Sequence, residues 1–263
     1  MSQVYFNSPK FKKFIPDWLT VIFLVILFFQ VLEVTQPFPR QFYVNDPKLS
    51  HPFATKEQVT DNQLYLYSTL IPTLIIILGS AYFGDSQFGK IHLAQVSCLG
   101  LWFSVTITSV LTDILKCWIS NPRPDFLERC GPKNRTPKDV LVGIDVCTSP
   151  LGPMYLADGL KSTPSGHSSM AFAGLLYLSL WFIGQLKLLQ TNNKKKTGYV
   201  LVCCLPVVFA AYIGLSRTQD YRHHFFDVFL GSSIGVVFAV ISYYKYFPQL
   251  QDENCNIPID YDK

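Results

Sequence analysis

The amino-acid sequence predicts an all-α integral membrane protein: six transmembrane helices in a bundle, with a polar site at one membrane face. Three observations predict this. About half of the 263 residues are hydrophobic (49%), and they gather into six runs near the roughly 20 residues that a helix needs to cross a bilayer. The chemistry-bearing polar residues concentrate in three short islands, at 116–124, 164–167 and 216–227. When six consecutive spans alternate in direction, all three islands fall on the same side.

Taken in order, residues 1–17 are short, polar and basic, with Lys10, Lys12 and Lys13. The first span is expected at 18–35. This apolar run is long and lacks a small-residue cleavage pattern after it, so it reads as a retained span rather than a signal peptide. A proline-bearing polar loop, 36–62, leads to the second span at 63–83. Pro72 lies inside that span, where neighbours can satisfy the freed carbonyl. A tight connection, 84–92, precedes the third span at 93–115, whose Ser and Thr content suits packing inside the bundle. Residues 116–166 form the longest loop. The fourth span is expected at 168–186 and the fifth at 199–215. Between them lie Lys187, Lys194, Lys195 and Lys196. The sixth span, at 225–247, carries Gly231 and Gly235 at GxxxG spacing, read as close helix packing. The tail from Pro248 reads as polar, short and disordered.

The basic amino terminus and the lysine-rich 187–196 connection share the face opposite the islands. By the positive-inside rule that face is cytoplasmic, as are the termini 1–17 and 248–263, and the site is lumenal or extracellular. A net charge of +4 is too weak to suggest nucleic acid as a partner. There is no glycine-rich nucleotide loop and no repeat. Of seven cysteines, Cys98, Cys117, Cys203 and Cys204 lie in or beside spans and read as small buried hydrophobes. Cys130 and Cys147 flank part of a polar loop, and a bridge between them is open if that loop is extracytoplasmic. Asn134-Arg135-Thr136 matches a glycosylation acceptor, with Pro137 following it.

Lys116, Arg123 and Arg217 are cations beside membrane ends, where they would repel one another without an anion. A phosphoryl group suits them, since arginine offers a planar fork and lysine a point charge. Ser165 can cap the fourth helix and Gly166 allows close backbone approach, so the free N–H groups of the first turn can meet an anion. His223 and Asp227, four residues apart, share a helical face. A carboxylate on one imidazole nitrogen fixes the tautomer and leaves the other to attack phosphorus. His224 is three residues from Asp227, and spacing alone leaves open which histidine attacks. His167, from another helix end, can protonate the leaving oxygen and then activate water. His and Asp are also metal ligands, but the surrounding cations would repel a divalent ion, so metal-independent hydrolysis is expected. Interfacial snorkelling explains many single Lys and Arg residues at helix ends; it does not explain three beside paired histidines.

These residues resemble the signature of the type 2 phosphatidic acid phosphatase superfamily, the lipid phosphate phosphatases. Lys116 with Arg123-Pro124 matches the Lys-x6-Arg-Pro part, Pro164-Ser165-Gly166-His167 the second, and Ser216-Arg217, His223 and Asp227 the third. The resemblance implies His223 as nucleophile, Asp227 as the residue orienting it and His167 as general acid/base. It implies Lys116, Arg123, Ser165, Gly166 and Arg217 as phosphate ligands, with no cofactor and no Mg²⁺ requirement. The runs Arg40-Gln41-Phe42-Tyr43-Val44-Asn45-Asp46, Arg123-Pro124-Asp125-Phe126-Leu127 and Ser216 to Asp227 are similar to those of fungal diacylglycerol pyrophosphate phosphatases. That likeness implies diacylglycerol pyrophosphate, phosphatidate and lysophosphatidate as membrane lipid substrates, and a vacuolar or Golgi-type membrane. Three other readings compete. An inactive lipid-phosphate binder or scaffold would usually have lost a catalytic histidine or arginine. A transporter would carry its polar residues at the midplane. The vanadate haloperoxidases share the phosphate-site constellation but are soluble.

Overall fold

The computed structural model describes residues 2–190 and 197–259; Lys194, Lys195 and Lys196 lie outside them. It is all-helical apart from two isolated β-bridges. Among the described residues six helical stretches are long and apolar enough to cross a membrane: Pro9–Leu32, Asp61–Phe83, Gln87–Ile119, Gly166–Gln185, Thr197–Gln219 and Phe225–Tyr246. Their outward residues are apolar, as lipid contact requires: Phe23 on the first, Leu78 on the second, Leu205 on the fifth and Phe229 on the sixth are all exposed.

The amino terminus is more ordered than the expected polar segment. Helices α1 (Ser2–Phe6) and α2 (Pro9–Lys12) precede α3 (Ile15–Leu27). Tyr5 is fully buried, and its hydroxyl donates to Gln95 Oε1 at 2.6 Å. Asp17 accepts from Tyr246 Oη at 2.8 Å and Lys245 Nζ at 3.1 Å, which ties the first span to the sixth.

The second span consists of α4 (Asp61–Tyr65), a π-helical turn (Leu66–Leu70) and α5 (Ile71–Phe83). The turn sits just before Pro72, which has no N–H to return to the carbonyl of Ser68. The Ser68 carbonyl faces the fourth span instead. A Cβ on Gly174 would lie 1.8 Å from that oxygen, so the two helices meet there only because residue 174 is glycine.

The third span, α6 (Gln87–Ile119), is 33 residues long, about 50 Å at 1.5 Å per residue. That exceeds a bilayer core of roughly 30 Å. The expected 84–92 connection is therefore mostly helix, capped by Ser86, and Lys116 is carried on the helix beyond the apolar zone. Ser120 adopts left-handed backbone (φ 49°) and ends α6 ahead of Pro122.

The long 116–166 segment is a folded cap. It contains α7 (Phe126–Cys130) and α8 (Pro153–Gly159). Cys130 and Cys147 form a disulfide. Phe42 pairs with Val142 across one β-bridge, and a small second core of Phe42, Leu49, Phe126, Cys130, Val142 and Leu160 fills the cap. Asn134 lies in an exposed turn.

The fourth span, α9 (Gly166–Gln185), is the centre of the bundle, packed between α6, α10 (Thr197–Gln219) and α11 (Phe225–Tyr246). Gly231 and Gly235 of α11 lie against the α9 backbone. A Cβ there would fall 2.4 Å from the Ser165 carbonyl oxygen and 2.3 Å from that of Ser169. The GxxxG pair is thus a packing device.

Residues 248–259 correct the expectation of a disordered tail. Leu250 and Cys255 are buried, Gln185 Nε2 donates to Asn256 O at 2.9 Å, and Ile259 N–H returns to Tyr246 O at 2.9 Å. Apolar side chains within the tail and a carboxamide donor at the end of α9 outweigh its polar composition. Residues 260–263 lie outside the described residues.

Gly174→Val is expected to force α5 and α9 apart. Overpacking costs about 1–3 kcal/mol or more, so the melting midpoint in detergent should drop by at least about 2 °C. Gly198→Ala, where a Cβ meets nothing within 4 Å, should leave it unchanged.

Candidate active site

The three islands are joined by backbone hydrogen bonds. Ser162 N–H donates to Asn121 O at 3.0 Å, linking the first island to the approach to α9. Ser165 N–H donates to Asp227 O at 3.0 Å, linking that approach to α11. Every sequence-predicted site residue is brought to this junction: Lys116, Arg123, Ser165, Gly166, His167, Arg217, His223 and Asp227. His167, His223, Arg123 and Arg217 are all buried.

Asp227 lies in the first turn of α11 and is 1% exposed. Its carboxylate accepts from Ser162 Oγ at 2.6 Å, Thr163 Oγ1 at 2.5 Å and His224 N–H at 2.9 Å. The last bond is half of a capping box in which His224 is the N-cap of α11, so His224 has a structural place that spacing did not reveal.

The expected direct bond from Asp227 to His223 is absent. His223 Nδ1 is 3.9 Å from Asp227 Oδ2 and only 2.7 Å from the carbonyl oxygen of Ser162. A carbonyl can only accept, so Nδ1 carries the proton and Nε2 of the neutral ring keeps its lone pair. Asp227 acts on His223 at one remove, by holding the hydroxyl of the residue whose carbonyl holds the ring. Burial, and then the positive charges of Arg123, Arg217 and Lys116, push the His223 pKa well below its ordinary value.

The cations are not left to repel one another, as the sequence reading supposed; each has a carboxylate. Lys116 Nζ lies 3.3 Å from Asp113. A Cβ on Gly166 would come within 2.8 Å of that ammonium, so the glycine admits the lysine to the start of α9. Arg123 donates through Nη2 to Asp158 Oδ1 at 2.6 Å and through Nε to Asp158 O at 2.9 Å. Burial lowers the Arg123 pKa to about 10, still protonated at neutral pH. Burial works against the charge on Asp158 too, yet the guanidiniums of Arg123 and Arg129 outweigh it and hold that carboxyl well below the usual range. Arg217 Nη1 meets Glu57 Oε2 at 2.9 Å and Asp220 Oδ2 at 3.3 Å.

A deeper network lies beneath. Arg129 is fully buried and pairs with Asp125 at 2.9 Å and Asp158 at 2.7 Å. Arg222 pairs with Glu57 at 2.6 Å and stacks over Phe53, 4.3 Å from the ring centre. Sequence reasoning passed over Asp158, Asp125, Arg129, Arg222, Glu57, Ser162 and Thr163. Asp125 and Arg222 lie inside runs already singled out, so their position was a signal; Glu57 carries none.

A small cavity of about 50 Å³ lies beside Lys116, Gly166 and His167, walled by Asp61, Asp113 and Tyr65. It has room for a few water molecules. His167 Nε2 faces the carbonyl oxygen of Val59 at 3.0 Å.

An unprotonated imidazole nitrogen among cations suits displacement at phosphorus, and the six-helix fold puts it at a membrane surface. The class so defined is a multi-pass membrane phosphatase. Comparison with known proteins supplies the family: residues 97–251 match the PAP2 superfamily, and the chain belongs to it. It is 44% identical over 260 residues to diacylglycerol pyrophosphate phosphatase 1 of Saccharomyces cerevisiae, covering 96% of this chain and 87% of the yeast protein. It is 38% identical over 245 residues to a probable diacylglycerol pyrophosphate phosphatase 1 of Schizosaccharomyces pombe, with 92% and 84% covered. Similarity reaches lipid phosphate phosphatase 2 of Arabidopsis thaliana, at 35% over 249 residues, with 90% and 78% covered. No solved structure matches the chain.

The depressed His223 pKa has a sign that melting can check. Between its folded pKa and the ordinary value near 6.5, the unfolded chain binds the proton and the folded one does not. The contribution is therefore complete above pH 6.5 and is lost as pH falls below it. Relative to His223→Gln, the wild-type melting midpoint should fall by about 2–4 °C per pH unit below 6.5. Parallel curves for the two proteins would contradict the buried neutral imidazole.

Proposed function

We propose that this protein removes the β-phosphate of diacylglycerol pyrophosphate to give phosphatidate, then dephosphorylates phosphatidate to diacylglycerol, and also accepts lysophosphatidate. The observation that carries this reading is the His223 ring, held by Ser162 O with Nε2 unprotonated among Lys116, Arg123 and Arg217. The substrate class follows the yeast relatives, which are similar over nearly the whole chain.

In this mechanism His223 Nε2 attacks phosphorus and forms a P–N bond as the P–O bond to the leaving group breaks. His167 donates a proton to the leaving oxygen. A water molecule then loses its proton to His167 and attacks phosphorus, the P–N bond breaks, and inorganic phosphate leaves. Lys116, Arg123, Arg217 and the N–H groups at the start of α9 stabilise charge on the phosphoryl oxygens in both steps. These groups supply the charge that a divalent ion would otherwise bring, so the reaction is metal-independent. Ser165 caps α9, its hydroxyl 3.4 Å from the Ser168 N–H, and keeps that helix start in place.

The site belongs on the lumenal side of an endomembrane, with the termini cytoplasmic. The Cys130–Cys147 disulfide in the site-side cap supports this, since disulfides persist in oxidising compartments.

Purified protein should release phosphate from diacylglycerol pyrophosphate in excess chelator and form an acid-labile phosphoprotein. His223→Ala should lose both, with turnover down by at least about 10³-fold. His224→Ala should stay within about tenfold of wild type, since it loses a helix cap worth about 1 kcal/mol. A Mg²⁺ requirement, or an active His223→Ala beside a dead His224→Ala, would overturn the mechanism. Lipid-phosphate binding without turnover would favour a scaffold.

A further inference from the structure

Residues 57–60, the end of the loop between the first two spans, lie outside the matched 97–251 region and yet cross the site. Glu57 Oε2 accepts from Arg217 Nη1 at 2.9 Å, and Glu57 Oε1 pairs with Arg222 Nη2 at 2.6 Å. Gln58 N–H donates to the Asp220 carboxylate at 3.0 Å. The carbonyl oxygen of Val59 lies 3.0 Å from both Arg217 Nη1 and His167 Nε2. A single nitrogen of Arg217 therefore meets Glu57, Val59 and Asp220. The Nε of the same guanidinium is buried with no hydrogen-bond partner. A buried charged donor without an acceptor is costly, and its retention asks for a ligand.

We infer that Glu57 is a positioning residue for phosphate capture: it grips Arg217 by Nη1 so that the Nε edge faces the phosphoryl group. The inference rests on the reading that Arg217 binds that group. A guanidinium is planar, so fixing one edge fixes the direction of the others. An arginine at the end of a helix otherwise has several torsions to freeze when its ligand arrives. Glu57 freezes them beforehand, and preorganisation of this kind strengthens binding and catalysis alike. The Val59 carbonyl extends the effect to His167, so one short strap sets both a phosphate ligand and the acid/base. Arg123 differs in that Asp158 already takes its Nε. Arg222, which Glu57 holds through Oε1, also has a buried Nε without a partner, but its guanidinium stacks over the Phe53 ring.

The test uses the full chain in detergent and reads inorganic phosphate binding as the concentration that half-saturates thermal stabilisation. Glu57→Gln should need about tenfold more phosphate, the equivalent of one charge-assisted hydrogen bond, and lose at least as much in kcat/KM. Glu128→Gln, which removes a cap carboxylate bound to the Phe53 N–H and not to Arg217, should bind phosphate like wild type. In an Arg217→Ala background, Glu57→Gln should weaken phosphate binding no further. If Glu57→Gln does not fold, Glu57→Asp, one methylene shorter, carries the same comparison. Unchanged or tighter phosphate binding in the Glu57 variant, or additive losses in the double variant, would overturn the inference. Undiminished phosphate affinity in Arg217→Ala would instead overturn the reading of the site itself.

Discussion

A carboxylate withdrawn from water must collect donors, and where Asp227 finds them determines how the site is assembled. It takes two hydroxyls from the residues before α9 and one backbone N–H from the start of α11. Those bonds fasten two chain segments that are more than sixty residues apart. One consequence is chemical: the Ser162 carbonyl is set in place and holds the His223 ring by Nδ1. The other is architectural, because the same junction lets α11 lie against the α9 backbone, where Gly231 and Gly235 remove the obstruction. Substituting another residue for Asp227 would strand buried hydroxyls as well as release the imidazole.

Around that junction, charge is balanced locally. Every guanidinium or ammonium group of the site has a carboxylate within 3.3 Å. Positive groups this close would otherwise be costly to bury. Pairing Arg123 with Asp158 of the cap and Arg217 with Glu57 of the loop before α4 makes cap, loop and bundle interdependent. Arg129, fully buried, reaches both Asp125 and Asp158, and the Arg123 side chain is held by the same Asp158. The geometry of Arg123 and Arg217 therefore depends on residues outside the three islands.

Much of this was legible in the sequence. Six apolar runs of bilayer length announce the spans, because lipid imposes a length and a composition on any helix that crosses it. The three islands announce the site, because polar clusters at membrane ends are hard to explain as packing. The partners were not legible. Glu57, Asp158 and Thr163 are ordinary loop residues in the sequence, and only the folded cap brings them to the arginines and to Asp227. The His223–Asp227 spacing suggested a direct bond, but helix geometry sets which residues share a face, not which acceptor is nearest; the Ser162 carbonyl was nearer. The long α6 and the folded tail were missed for a related reason. Polar residues at the ends of a span look like loop until the groups that satisfy them are known.

The docked segment 248–259 has a practical bearing on how this protein is handled. It shields the lower end of α9 and α11, where Tyr243, Tyr246 and Phe247 are buried, and its Asn256 and Glu253 carbonyls accept from Gln185 Nε2 and Lys187 Nζ. Shortening the chain at Pro248 would bare an aromatic surface and take the acceptor from Gln185 Nε2. For purification the segment is a stopper in the foot of the barrel of helices, not a loose end to be trimmed.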